Sequence, residues 1–221
     1  MRTGPSGMVL GSTARGPVSI RLFRPRPTKL VLAGPQYVSW LLAYRSVSMG
    51  AHVSVLPEHA RDWQGLVERI RRSNGTADLL GPGSELPGGG RPYRPSLVVS
   101  DLTTGPAGAA RVGGRPTDTR EIASSGRRGS ATELGSWQAM LLPTDLTLSA
   151  SVQTLRNCDL ALIAPTDERV LENMRKAYFL NARQVKAAAQ VGSDELLLAM
   201  PRRIVKLSVR PTRTEYQVLF G

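Results

Sequence analysis

Thr28–Pro57, TKLVLAGPQYVSWLLAYRSVSMGAHVSVLP, sets short apolar runs between chain breakers in an order that decides the fold. Leu30–Ala33 is an apolar β-run stopped by Gly34-Pro35. Gln36–Met49 is a largely apolar run of helical length, Gly50 closes it, and His52–Leu56 is a second apolar strand. Tyr37, Leu41 and Tyr44 recur at helical spacing with Val38 and Leu42 beside them, a stripe broad enough to lie on a sheet. A strand, a helix and a strand in succession make a right-handed βαβ unit, which implies a parallel sheet. This is the opening module of a nucleotide-binding α/β fold, but its turn carries Gly-Pro-Gln-Tyr in place of G-x-G-x-x-G or a Walker lysine. Gln36 and Ser39 stand at the second and third glycine positions, where side chains obstruct approach of the backbone to a pyrophosphate.

The pattern continues on both sides. Val18–Phe23 alternates like an edge strand with a charged face, and residues 1–17 show no periodicity and are expected to be disordered. Glu58–Asn74 forms a helix with Trp63, Leu66, Val67 and Ile70 inward, stopped at Asn74-Gly75. Ser96–Leu102 is a continuous apolar strand suited to a buried parallel position. A Gly/Arg/Ser/Thr-rich insertion at 103–136 is expected to be mobile. Trp137–Pro143 and Asp159–Ala164 read as strands flanking a short helix at Leu148–Arg156, and Thr166–Gln190 as two helical parts meeting near Asn181. Glu195–Met200 and Arg203–Val209 form a hairpin, and Thr214–Phe220 is a short helix or strand. The expected architecture is a single α/β domain over 18–221. It has a Rossmann-like, mostly parallel sheet, helices on both faces and a C-terminal β-hairpin.

Composition narrows the partners. Among 221 residues, 29 Lys and Arg stand against 17 Asp and Glu, a formal charge of +12 that attracts acidic surfaces. Residues 1–29 carry Arg2, Arg15, Arg21, Arg24, Arg26 and Lys29 without an acid. Of these, Arg21, Arg24, Arg26 and Lys29 are the candidates for contact with an anionic membrane or an acidic partner. No apolar segment at the N-terminus resembles a signal peptide. Tyr37–Met49 is too short to span hydrocarbon and contains Arg45. The single cysteine, Cys158, begins an apolar run and reads as a small core residue. Trp40, Trp63 and Trp137 fall in internal patterns rather than among basic residues, so no specific nucleic acid is expected.

Few residues point to chemistry. Asp101, after the apolar SLVVS, resembles the acidic end of a Walker B strand, but a Walker A lysine is missing. His52 and His59 lack the spacing of a zinc pair, and no G-x-S-x-G or H-E-x-x-H occurs. The residues therefore predict no catalytic, cofactor or metal site, and a chain that is not an enzyme.

Two segments carry a family resemblance. VSIRLFRPRPTKLVLAGPQYVSWLLAYRSVSMGAHVSVLPEHARDWQGL and the ending NCDLALIAPTDERVLENMRKAYFL … DELLLAMPRRIVKLSVRPTRTEYQVLFG resemble the soluble portion of the E component of type VII (ESX-type) secretion systems of actinobacteria. They are less closely similar to degenerate FtsK/VirD4-like ATPase domains, which also end in a strand and an R-P-T-x-x-E phrase, here Arg210–Glu215. The first resemblance implies a non-catalytic interaction domain of a secretion apparatus, cytoplasmic and peripheral to the inner face of the cell membrane, with other secretion subunits as partners. Two alternatives stand beside it: a nucleotide-binding enzyme or regulator with an atypical phosphate loop at Gly34, and a basic nucleic-acid-binding protein.

Overall fold

A computed structural model of the chain describes residues 7–81, 84–101 and 134–221. The insertion expected at 103–136 lies almost wholly outside these residues. Ten strands, β1 (Met8–Thr13), β2 (Gly16–Ile20), β3 (Thr28–Ala33), β4 (His52–Pro57), β5 (Ala77–Leu79), β6 (Ser96–Asp101), β7 (Gln138–Pro143), β8 (Leu160–Ile163), β9 (Glu195–Met200) and β10 (Arg203–Ser208), form one sheet. Their order is β2-β1-β10-β9-β8-β3-β7-β6-β4-β5. The six strands from β8 to β5 are mutually parallel. The four from β9 to β2 follow as antiparallel neighbours. β9 and β10 are the expected C-terminal hairpin, and β2 is the expected edge.

Helices cover both faces, so the parallel strands are apolar on both sides and successive residues feed opposite cores. Leu30, Leu32, Leu160, Leu162, Leu196 and Leu198 point into a core made with α1 (Gln36–Ser48), α2 (Ala60–Arg72) and α6 (Arg213–Phe220). Val31, Ala161, Ile163, Leu197 and Ala199 point into a second core with α3 (Ser151–Arg156), α4 (Glu168–Tyr178) and α5 (Ala182–Ala189). Trp63, fully buried, anchors α2 in the first core, and Tyr178 anchors α4 in the second. Cys158 is buried in the second core, and burial pushes its thiol up to about 12, which keeps it protonated and inert.

The N-terminal segment differs from expectation. Residues 1–17 read as disordered, yet Met8–Thr13 is a strand paired to β2 and, at Ser12, to β10. Met8 and Leu10 are buried while Val9 between them is 49% exposed, an alternation hidden by the surrounding Gly and Ser. Gly11 lets the backbones meet: a Cβ there would stand 2.3 Å from the Ser208 carbonyl oxygen. The tail over 214–220 resolves as helix, because Thr212 and Glu215 close a reciprocal capping box at its start. Arg45 ties this last helix to α1 and β1. It donates to Glu215 Oε1 at 2.7 Å and Oε2 at 3.0 Å, and to the Val9 and Leu10 carbonyls. No helix among the described residues is long and apolar enough to cross a membrane.

Candidate functional site

The connections around β3 create an open crevice. After β3 the chain leaves through α1 toward β4, on the β7 side. After β7 it passes through α3 to β8, on the other side of β3. Two crossovers that depart in opposite directions leave a gap beyond the carboxyl ends of β3 and β7, the usual ligand position in an open α/β sheet.

A cleft of about 460 Å³ occupies that place, lined by Gly34, Asp101, Thr144, Asp145, Thr147 and Thr166 among others. Gly34 follows β3 directly, and the Ala33 carbonyl before it accepts from Ala164 N–H at 2.7 Å. Thr144 N–H donates to the Leu32 carbonyl at 2.9 Å, which fixes the start of the loop after β7. Asp145 closes a local turn by accepting from the Thr147 N–H and hydroxyl, both at 2.9 Å. Leu146 is buried in the second core, and buried Asn173 of α4 donates to the Leu146 and Leu148 carbonyls at 2.8 and 3.0 Å. The loop that presents Thr144, Asp145 and Thr147 is thus held by Asn173 and by the Ser151 hydroxyl, which donates to the Asp145 carbonyl at 3.2 Å.

Gly34 leads into α1 through Pro35, an N-cap without a side-chain hydrogen bond, whose carbonyl accepts from Val38 N–H at 3.0 Å. Asp101 ends β6, and its Oδ2 accepts from the Trp63 indole N–H at 2.6 Å. Part of that carboxylate therefore serves the fold. No Lys, Arg or His lines the cleft among the described residues, while two carboxylates and three hydroxyls do.

The structure brings Gly34 and Asp101 together, which the sequence could only set side by side as separate hints. It adds Thr144, Asp145, Thr147 and Thr166, which carry no motif of their own. Their signal was available, since Thr144-Asp145 follows an apolar strand just as Asp101 follows SLVVS. The basic candidates lie elsewhere. Arg24 donates to Asp159 Oδ1 at 2.6 Å, and Lys29 N–H donates to Asp159 Oδ2 at 2.9 Å. Arg26 reaches the same carboxylate at 3.8 Å but stays exposed, as does Arg21. Arg24 is thus occupied within the fold, and Arg21 and Arg26 keep free surface.

No family model matches the sequence, and no curated protein matches it. Solved structures do share its fold. The genome packaging NTPase B204 from Sulfolobus turreted icosahedral virus 2, in complex with AMP, is 7% identical, covers 85% of this chain and 100% of that one, and superposes with a TM-score of 0.52. The same NTPase in complex with ATP-gammaS is 8% identical, covers 84% of this chain and 99% of that one, and gives a TM-score of 0.50. The pCW3 conjugation coupling protein TcpA, in monomer form with ATPgS, is 10% identical, covers 93% of this chain and 66% of that one, and also gives 0.50. At such identities the likeness is one of fold. It agrees with the FtsK/VirD4-like side of the resemblance, and none of these structures is a type VII secretion component. It also corrects the expectation that the chain is not an enzyme. That expectation took the missing phosphate loop to mark a scaffold, whereas in these proteins the same fold is seen as an NTPase or as a coupling protein holding a nucleotide analogue.

Proposed function

We propose that this chain is a nucleotide-binding protein, an enzyme or regulator with an atypical phosphate loop, whose ligand sits in the cleft beyond β3 and β7. The observation that carries this reading is the cleft itself. It lies at the topological switch point, beside Gly34 and two carboxylates, in a fold that B204 and TcpA use with bound AMP, ATP-gammaS or ATPgS.

The chemistry of the lining indicates the form of the ligand. Phosphates alone would meet Asp101 and Asp145 with like charge and no basic residue to offset it. Magnesium takes an all-oxygen set of one or two carboxylates, waters and substrate phosphates. Asp101, Asp145 and the hydroxyls of Thr144, Thr147 and Thr166 are such a set, so a nucleotide would enter as its magnesium complex. In this arrangement Asp101 and Asp145 would hold the metal, which would carry the phosphates. Asn173 keeps the β7 loop in place, and Gly34 leaves room beside the strand. Any hydrolysis would depend on the same acids to orient water.

The test is a thermal-shift titration of the whole chain with AMP, ADP and ATP, each with and without magnesium, together with phosphate release. A ligand bound at a hundred times its Kd stabilises by about 2.7 kcal/mol. The expected result is a magnesium-dependent rise in melting temperature that Asp145→Asn diminishes. A melting temperature indifferent to every nucleotide refutes the proposal.

A further inference from the structure

A second cavity, of about 600 Å³, lies between α1 and α2. Gln36, Trp40, Arg61, Asp62, Leu66 and Arg69 line it, and it shares no lining residue with the cleft described above. Three of its side chains hold a buried donor with no acceptor among the described residues: Gln36 Nε2, Trp40 Nε1 and Arg69 Nε. The fourth such atom in the described residues, the Tyr178 hydroxyl, is in the other core. Buried donors without acceptors are destabilising and few in folded chains, so three around one cavity form a concentration that packing does not explain.

Their sign is uniform. Each is a donor, Arg61 and Arg69 add positive charge, and Asp62 is the one acid in the lining. Arg69 is held in place, since its Nη2 donates to the Leu219 carbonyl at 2.9 Å. Its guanidinium lies over Gly65, where even an added Cβ would stand 3.7 Å from Nη1, so α2 leaves the group room. Trp40 packs beside Phe220, with the ring centroids 6.3 Å apart. A cluster of donors beside two guanidinium groups and apolar Leu66 suits a ligand that offers only acceptors and carries negative charge.

We infer that this cavity is a second binding site, for a small ligand bearing an oxyanion, a carboxylate or a phosphate, which accepts hydrogen bonds from Gln36, Trp40 and Arg69. It is independent of the nucleotide reading, because its residues and its chemistry are separate from those of the first cleft.

The Trp40 indole proton reports on it directly. In nitrogen-15-labelled whole chain, the resonance is assigned by its loss in Trp40→Phe. The protein is then titrated with inorganic phosphate, and separately with benzoate, at ionic strength held constant with chloride. The expected result is a saturable downfield shift of the Trp40 indole proton with one of the two anions, the Trp63 and Trp137 signals staying in place. Whether phosphate or benzoate acts distinguishes the two oxyanion sources. Gln36→Glu should weaken the midpoint at least about tenfold, the loss of one charge-assisted contact and the addition of a like charge. Arg69→Lys should weaken it similarly, while Arg72→Gln on the exposed side of α2 leaves it unchanged. Because Arg69 also holds α6, Gln36→Glu provides the variant free of that contact. The inference is overturned if neither anion gives saturation, or if Gln36→Glu titrates like the parent. It is equally overturned if the indole proton cross-relaxes with a long-lived water that persists in the presence of both anions, since water would then be the acceptor.

Discussion

Arg45→Met should be the most damaging single change outside the cores. The Arg45 and Glu215 side chains are 13% and 12% exposed, and the pair is bidentate at 2.7 and 3.0 Å. Arg45 also donates to the Val9, Leu10 and Arg210 carbonyls. Removing the guanidinium leaves a buried carboxylate and these carbonyls without their donor, a loss of about 3–5 kcal/mol. For a chain of this size that lowers the melting temperature by roughly 6–20 °C. The double variant Arg45→Met/Glu215→Gln removes the stranded charge and keeps the amide in the Thr212 capping box, so it should recover most of the loss. Burial by itself would push the Glu215 carboxyl up. Hydrogen bonds from Arg45 and from Thr212 N–H, with the Arg45 charge, hold it below its ordinary 4.5. A carboxyl lowered in the folded state contributes stability that is full above its unfolded pKa and is lost as pH falls through the folded one. The gap between parent and Arg45→Met should therefore narrow as the medium is acidified below 4.5. Urea unfolding at several pH values measures it. A loss under about 1 kcal/mol, the size of an exposed pair, refutes the reasoning. So does a gap that stays constant from about pH 7 to about pH 3.

Other changes test other joints. Gly11→Ala puts a Cβ 2.3 Å from a backbone oxygen of β10 and should cost at least about 2 kcal/mol, seen as early hydrogen exchange of β1 and β2 in the variant. Asn173→Leu removes two hydrogen bonds under the cleft wall. It should cost roughly 1–3 kcal/mol in urea and weaken any magnesium-nucleotide shift, whereas an unchanged shift would show that the wall holds itself. Cys158, with its thiol pushed up to about 12, should resist a disulfide reagent at neutral pH until the chain unfolds, and rapid labelling of native protein would contradict its burial.

The parallel half of the sheet was legible because its strands are buried on both faces, and continuous apolar runs such as Ser96–Asp101 stand out against breakers. β1 was not, since its burial pattern rests on Met8 and Leu10 alone within Gly and Ser. β5 is three residues long and, among the described residues, pairs with β4 alone, too short for any periodicity. The helix starts at Asn181 and Thr212 did leave a signal, Asn-x-x-Gln and Thr-x-x-Glu, which the capping boxes confirm. The cleft was half legible. Gly34 and Asp101 follow apolar strands and draw notice, but Asp145 and Thr166 matter only because β7 and β8 flank β3, a neighbour relation that chain order does not reveal. The second cavity left no trace, because Gln36 and Arg69 lie on different helices and look like ordinary helix-surface residues.

Asp101 is where the structural and functional demands meet. Its carboxylate ends β6 in the cleft, yet one oxygen receives the indole N–H of a tryptophan that anchors α2. A metal at this carboxylate must use the lone pairs that Trp63 leaves, so the tryptophan orients the acid and draws charge from it. Trp63→Phe keeps an aromatic ring in the core and removes the donor. It should cost about 1–3 kcal/mol from the lost hydrogen bond and the space left behind. The effect on ligand binding has the opposite sign if Asp101 is a metal ligand: freed of the indole, the carboxylate should hold magnesium more strongly, and the magnesium-dependent part of the nucleotide shift should grow relative to the variant's own melting temperature. Asp101→Asn should abolish that gain. If Trp63→Phe destabilises the fold and leaves the magnesium dependence as in the parent, Asp101 belongs to the core alone and Asp145 must carry the metal.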